Sequence, residues 1–281
     1  MQNATDTTPS PAMHAPLGMV EPHAGLLRVP PDGQLLHKMM TVENLLASIS
    51  TSYLHFNRVD AYKDFLGADP NDGRQLPADE PGNAGTTFAR APTFSLADYY
   101  NQSRSRTYAC CFSLENSAHI WKSYANGSSR GKVCVVFDFA KLRTRLNQTL
   151  AQGISALEYN GIRCLQIFSV NYGIVDYVAW DAHRENTQRL PNPITYTYLK
   201  DANGYRDEKE LRISLSTIGI GHFVLSDGCK IEFPPSLHFD FDYRASLADG
   251  TIKEFAPGPD CDMEFLRAEL DKLRIVPVSN P

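Results

Sequence analysis

The chain has 281 residues, of which 42% are hydrophobic and 21% charged, an ordinary balance for a globular protein. Its 27 basic and 32 acidic residues leave a net charge of −5, so nothing draws the whole molecule to nucleic acid or to an anionic membrane. No run of about 18 apolar residues occurs, which excludes a helical membrane span. The first residues show no basic stretch followed by an apolar one, so no secretory leader is expected. Six cysteines (Cys110, Cys111, Cys134, Cys164, Cys229 and Cys261) lack the spacing of zinc ligands and fit free thiols in a reducing compartment. The expectation is a cytoplasmic protein with no membrane partner and no bound metal.

Residues 1–31 are rich in Pro, Ala, Thr and His and carry no hydrophobic period, which reads as a flexible N-terminal arm. Residues 32–281 read as a single domain. It opens with an apolar run interrupted by two polar residues, Leu35-Leu36-His37-Lys38-Met39. Thr41 is placed to cap a helix over about 42–50, with Leu45, Leu46 and Ile49 on its buried face. Tyr53-Leu54-His55-Phe56 alternates like a strand, and Asn57 to Asp64 reads as a polar turn. Residues 67–92 are rich in Gly, Pro, Asp and Asn. A structureless stretch of that length is a functional lid or disorder.

A helix near 95–102 precedes the buried strand Thr107–Ser113. Ser117 then caps a helix holding Ile120, Trp121 and Tyr124, with the two aromatic residues read as core. Lys132–Phe137 reads as a central strand, and Phe139–Gln152 as an amphipathic helix with Leu142, Leu146 and Leu150 four residues apart. Strands are expected near 163–170 and 174–179, while 181–198 gives no clear pattern. Further strands are expected at Glu208–Ser216, Gly219–Leu225, Lys230–Phe233 and Thr251–Phe255. A helix over 262–274 and an edge strand Ile275–Val278 close the chain. Helices and antiparallel-looking strands mix without regular alternation, so the expected fold class is α+β, with largely antiparallel sheets and flanking helices.

The stretch Glu208-Lys209-Glu210-Leu211-Arg212-Ile213-Ser214-Leu215 carries the chemistry. Strand side chains alternate between faces, so Leu211, Ile213 and Leu215 point to a core while Glu208, Glu210 and Arg212 share the other face. Neighbours on that face stand roughly 7 Å apart. A carboxylate beside a guanidinium is held ionised at neutral pH. Such a face is either a solvated charged surface or a row of catalytic carboxylates. Lys38 adds to the second reading, because a lysine in an apolar strand is costly to bury without a partner.

Several blocks in order resemble the bacterial domain-of-unknown-function family DUF 2971. They are Lys38, Asp64, Cys111-Phe112-Ser113, the segment from Ile120 to Asp138 with Trp121, Tyr124 and Gly131, then Lys200, Glu208-Lys209-Glu210-Leu211-Arg212 and the segment from Ile252 to Leu273. Lys63-Asp64-Phe65 departs from that family's Asn-Asp-Pro. The same order is also similar, more distantly, to the ADP-ribosyltransferases, which use NAD+. His37 or Lys38 stands in the first strand ahead of a helix bearing Asn44, Ser113 in a middle strand, and the Glu208–Glu210 pair in a late one.

The second resemblance implies a split β-sandwich and an enzyme that breaks the nicotinamide–ribose bond of NAD+, its substrate. Glu210 would be the catalytic carboxylate and Glu208 would orient the acceptor. His37 or Lys38 would hold the ribose or phosphate of NAD+, Tyr53 or Phe112 would stack on nicotinamide, and Ser113 would support Glu210. Arg212 belongs to the same cofactor-binding set. The implied acceptor is a protein, RNA or DNA, and the implied setting a bacterial toxin or phage-defence effector with an antitoxin or immunity partner. The alternative is a non-catalytic module binding a nucleotide or a partner, in which Glu208 and Glu210 pair with Arg212 and Lys38 as structural ions.

Overall fold

The computed structural model describes residues 27–64, 68–151, 157–159, 162–163, 168–185, 191–217, 223–224 and 228–275. Residues 1–26 of the expected arm lie outside them. Its last part runs along the domain: Arg28 forms a β-bridge with Ile174, and Leu27 packs on Gly173.

The chain begins β1 (Leu35–Thr41), α1 (Val42–Thr51), β2 (Tyr53–Arg58) and a 3₁₀ turn over Val59–Asp64. There follow α2 (Glu80–Gly85), β3 (Thr87–Phe88), β4 (Ala91–Ser95), α3 (Leu96–Arg104), β5 (Thr107–Ser113), α4 (Ala118–Ser123), β6 (Lys132–Asp138) and α5 (Phe139–Ala151). Next come β7 (Leu157–Tyr159), β8 (Ile162–Arg163), β9 (Phe168–Ile174), β10 (Asp176–Val178), β11 (Leu199–Asp201), α6 (Ala202–Tyr205) and β12 (Glu210–Thr217). The last elements are β13 (Phe223–Val224), β14 (Lys230–Ile231), β15 (Ser236–Asp240), α7 (Tyr243–Ala248), β16 (Ile252–Pro257) and α8 (Met263–Lys272).

This is an α+β fold. Ten strands form one antiparallel sheet in the order β16-β6-β1-β5-β2-β15-β7-β8, with β12 pairing β5 and β9 pairing β12. Alternation builds it. Leu36 and Met40 of β1, Tyr108, Cys110 and Phe112 of β5, and Leu211, Ile213 and Leu215 of β12 join one apolar core. α1 closes over that core with Leu45 and Ile49, and α8 with Leu266 and Leu270. Thr41 caps α1 as expected, its hydroxyl accepting from the Asn44 N–H at 3.1 Å. Ser117 caps α4 in the same way.

Several expectations change. The stretch 67–92 is folded, not a structureless lid, over its described part: it contains α2, β3 and the start of β4, and Leu76 enters a second small core with Tyr100, Trp180, Tyr196 and Leu199. α4 ends at Ser123, so Tyr124 leaves the helix instead of joining the core. β2 extends to Arg58, where a turn was expected. The strand expected over 163–170 is β9, starting at Phe168, and residues 164–167 lie outside the described set. β15 and α7 have no counterpart in the expected list. The expected edge strand Ile275–Val278 lies outside the described residues beyond its first residue.

The sheet forks at β5. One edge of β5 pairs with β12 along its whole length. The other edge pairs with β1 only at His37↔Ser113, and with β2 only at Asn57↔Ala109 and Arg58↔Tyr108. Between those contacts β1 and β2 splay apart. Backbone acceptors left open there need partners. Lys38 Nζ donates to the Cys111 carbonyl at 3.3 Å, and the Tyr62 hydroxyl donates to the Ala109 carbonyl at 3.2 Å. Lys38 also lies 5.2 Å from the Phe112 ring centroid. The lysine in an apolar strand thus has a structural use, stitching the fork.

Candidate functional site

A cavity of about 470 Å³ lies against this fork. His37, Lys38, Tyr53, Ser113, Glu208, Glu210 and Arg212, drawn from four distant stretches of sequence, all line it. The register explains part of the gathering: Ser113 stands opposite His37 on β1 and opposite Glu210 on β12, so the three residues share one face.

The floor of the cavity is a network of buried charges. Arg212 is 0% exposed. Its guanidinium grips Asp72 with both ends, at 2.6 and 2.9 Å, and donates to Glu210 through Nε at 2.7 Å and Nη2 at 3.1 Å. It also donates to the Thr197 carbonyl at 2.5 Å. Lys200, from β11, bridges the two glutamates, its ammonium standing 2.6 Å from Glu208 and 3.1 Å from Glu210. Three carboxylates therefore face two cations. The polar face of β12 is no solvated surface, because the segment carrying Thr197, Tyr198 and Lys200 roofs it. The Tyr198 and Ser214 hydroxyls meet at 2.8 Å under that roof.

Glu208 and Glu210 do not sit on one strand. β12 starts at Glu210, and Glu208 ends a 3₁₀ turn over Arg206–Glu208. Lys209, between them, adopts a left-handed backbone with φ of 49°. That conformation costs a non-glycine residue about 1–2 kcal/mol. It breaks the strand's alternation and lets both carboxylates reach the same ammonium.

The two carboxyls differ in proton affinity. Burial raises that of Glu210, but the Arg212 and Lys200 charges outweigh it and hold the group at about 2. Burial dominates at Glu208 and pushes it above the ordinary carboxylate value, with Glu210 adding to the rise and Lys200 opposing it. Glu208 also accepts a hydrogen bond from the Tyr124 hydroxyl. Pairs of carboxyls driven apart in this way are arranged for different roles in proton chemistry.

The far end of the cavity is aromatic. Tyr53, His55 and Asn57 alternate on one face of β2, and His238 stands opposite His55 on β15. Tyr53 and His238 stack at 3.7 Å between centroids, 7° from parallel. One face of Tyr53 is therefore already covered. His55 Nε2 meets Asn57 Oδ1 at 2.9 Å. Burial lowers the proton affinity of His55, and nearby Lys38 and His238 lower it further. His37, half-buried with Cys134 Sγ at 3.9 Å, is lowered by burial too.

Two expected contacts differ. The Ser113 hydroxyl does not support Glu210; its one O–H stands within donating distance of the carbonyls of Glu208 and Glu115, at 2.7 and 2.9 Å, and so pins the turn that carries Glu208. The glutamates pair with Lys200 and Arg212, not with Lys38. Sequence reasoning assigned no role at this site to Lys200, Asp72, His55 or His238. Lys200 stood in a quoted block, and the Tyr53–His55 alternation placed both rings on one face. Asp72, in a loop, gave no signal at all. Among the described residues no cluster of His, Cys, Asp and Glu forms a metal site. No described helix is long and apolar enough to cross a membrane. No family model, curated protein or solved structure matches the chain.

Proposed function

We propose that the cavity binds NAD+ and breaks its nicotinamide–ribose bond, in the manner of an ADP-ribosyltransferase. The observation that carries this reading is the carboxylate pair on one ammonium, in a floor whose acids outnumber its cations. Bond cleavage builds an oxocarbenium-like centre on the ribose while nicotinamide departs, neutral, with the bonding electrons. A fixed anion next to that centre lowers the barrier, and it does so most strongly in a dry, preorganised site. Glu210 is that anion, held ionised by Arg212 and Lys200. Glu208 keeps its place as the carboxyl that meets the acceptor, since it binds a proton more readily. His37 and Lys38 stand at the same cavity for the ribose or phosphate. The forked sheet is compatible with the split sandwich implied by the resemblance.

The acceptor in this proposal is a protein or nucleic acid, and the setting a toxin or defence effector held in check by an antitoxin or immunity partner. The test is nicotinamide release from NAD+ with and without cell lysate, followed by chromatography. Glu210→Gln keeps shape and removes charge, and its expected loss is roughly 10²–10³-fold. No release by the intact protein under any of these conditions overturns the proposal.

A second reading has its own support. Both oxygens of Glu210 are already engaged by Arg212 and Lys200, as in a structural ion network. The cavity is then a nucleotide- or partner-binding module without turnover. Tight NAD+ binding with no nicotinamide release, unchanged by Glu210→Gln, selects this reading.

A further inference from the structure

Tyr124 lines the cavity, directly after α4, in extended backbone, and keeps 36% of its surface exposed. Its hydroxyl donates to Oε1 of Glu208, a residue only 6% exposed. Oε2 of the same carboxyl accepts from Lys200 at 2.6 Å. The terminal torsion of a glutamate is soft, so one partner leaves the group free to turn and two fix it. Lys200 is shared with Glu210, whereas the single O–H of Tyr124 goes to Glu208. Burial and the Glu208 charge both raise the proton affinity of Tyr124, so its hydroxyl stays a donor. The contact joins two constrained backbones. Ala125, after Tyr124, has φ of 53°, and Lys209, after Glu208, has 49°. Left-handed non-glycine residues are costly and collect where a site needs a side chain held in place. The loop carrying Tyr124 is anchored separately: Lys132 on β6 donates to the Trp121 carbonyl at 2.6 Å and to Asn126 Oδ1 at 2.5 Å. Losing the tyrosine hydroxyl therefore leaves the loop in place.

We propose that Tyr124 is a positioning residue for the acceptor step: its hydroxyl fixes the Glu208 carboxylate to receive the proton that the acceptor gives up. This inference rests on the NAD+ reading. Nicotinamide leaves with the old bonding electrons, and a lone pair of the acceptor makes the new bond to the same ribose carbon. The acceptor's proton ends on Glu208, which must be ionised to take it. A hydrogen bond donated to the charged form of a carboxyl favours that form. The groups facing Glu208 are Lys200, Glu210, Tyr124, Tyr177 and Tyr205. Lys200 and the Tyr124 hydroxyl favour its charged form, while burial and Glu210 oppose it. Removing the hydroxyl thus both loosens the carboxyl and raises its proton affinity.

The experiment follows nicotinamide release from NAD+ against pH, with cell lysate supplying the acceptor, for the intact protein, Tyr124→Phe, Glu208→Gln and the double variant. Tyr124→Phe keeps the ring and loses only the hydroxyl. Its KM for NAD+ is expected to stay unchanged. Its kcat is expected to fall roughly tenfold on the acid side, the scale of one hydrogen bond to a charged group, and to recover as pH rises. The acid limb of the profile therefore moves to higher pH. In the Glu208→Gln background the same change adds no further loss. Carboxyl ¹³C NMR gives a readout without NAD+: Glu208 titrates at higher pH in Tyr124→Phe than in the intact protein. A rise in KM alone, a loss equal at every pH, a further loss in the Glu208→Gln background, or an unmoved Glu208 titration overturns this inference and leaves the NAD+ reading standing. No nicotinamide release by the intact protein ends the NAD+ reading and this inference with it.

Discussion

The two ends of the cavity solve the problem of buried polarity in opposite ways. At the floor, Arg212, Lys200, Asp72, Glu208 and Glu210 stay charged and satisfy one another through contacts of 2.6–3.1 Å. At the far end, Tyr53, His55, Asn57 and His238 stack and hydrogen-bond, and burial disfavours charging His55. The floor is stiff and intolerant, because removing one charge strands another. The aromatic end is more forgiving, because each ring contact contributes about 0.5–1.5 kcal/mol beyond its buried area.

Removing the hub of the floor breaks the contrast most severely. Arg212→Met leaves Asp72 and Glu210 buried beside a neutral side chain, and breaking such a pair costs about 3–5 kcal/mol. Urea unfolding is expected to show a loss of that size. A loss below about 1 kcal/mol means that water reaches the network and that the floor is no stiffer than a surface.

Lys200→Met is the next test. The two glutamates lose their shared cation and face each other as like charges, so Glu208 moves further toward its protonated form. Carboxyl ¹³C NMR of Glu208 is expected to show its titration at higher pH than in the intact protein. An unchanged midpoint would mean that Lys200 does not govern the pair.

Acid separates the two ends along the pH axis. The His55 imidazole sits below its ordinary 6.5 in the fold, so the unfolded chain takes up that proton first as pH falls. Stability therefore declines as pH drops below about 6.5. Glu210 is held at about 2 against an ordinary 4.5, so its contribution is complete above 4.5 and is lost as pH falls through about 2. Thermal midpoints measured from neutral pH downward are expected to fall in two stages. His55→Gln shrinks the upper stage, which His37 shares, and Glu210→Gln shrinks the lower. A single decline untouched by either variant contradicts the assignment.

The smallest effect belongs to the aromatic end. Tyr53→Leu loses the stack on His238 and is expected to cost about 1 kcal/mol. NAD+ affinity in the same variant sharpens the comparison. If affinity falls much more than stability, the free face of the tyrosine holds ligand.

Local chemistry wrote much of the fold directly into the sequence. Thr41 and Ser117 had to cap because a hydroxyl before a helical run satisfies an open N–H. Leu211, Ile213 and Leu215 had to face a core because strand side chains alternate. The same alternation put Glu210 and Arg212 on one face. What lay over that face was not legible. It depends on a roof built from residues around Thr197–Lys200 and on Asp72, 140 positions away from Arg212. No periodicity links residues so distant. A loop aspartate looks the same whether it meets water or a buried guanidinium.

The sequence by itself determined the α+β class, the apolar face of β12, and the grouping of Glu210 with Arg212 on its other face. Tertiary structure alone decided that those charges are buried, that Lys200 joins the two glutamates, and that Lys38 stitches a fork. The physical reason is range. Capping and alternation act within a few residues, whereas the protonation and partners of a buried charge are set by whatever the fold packs against it.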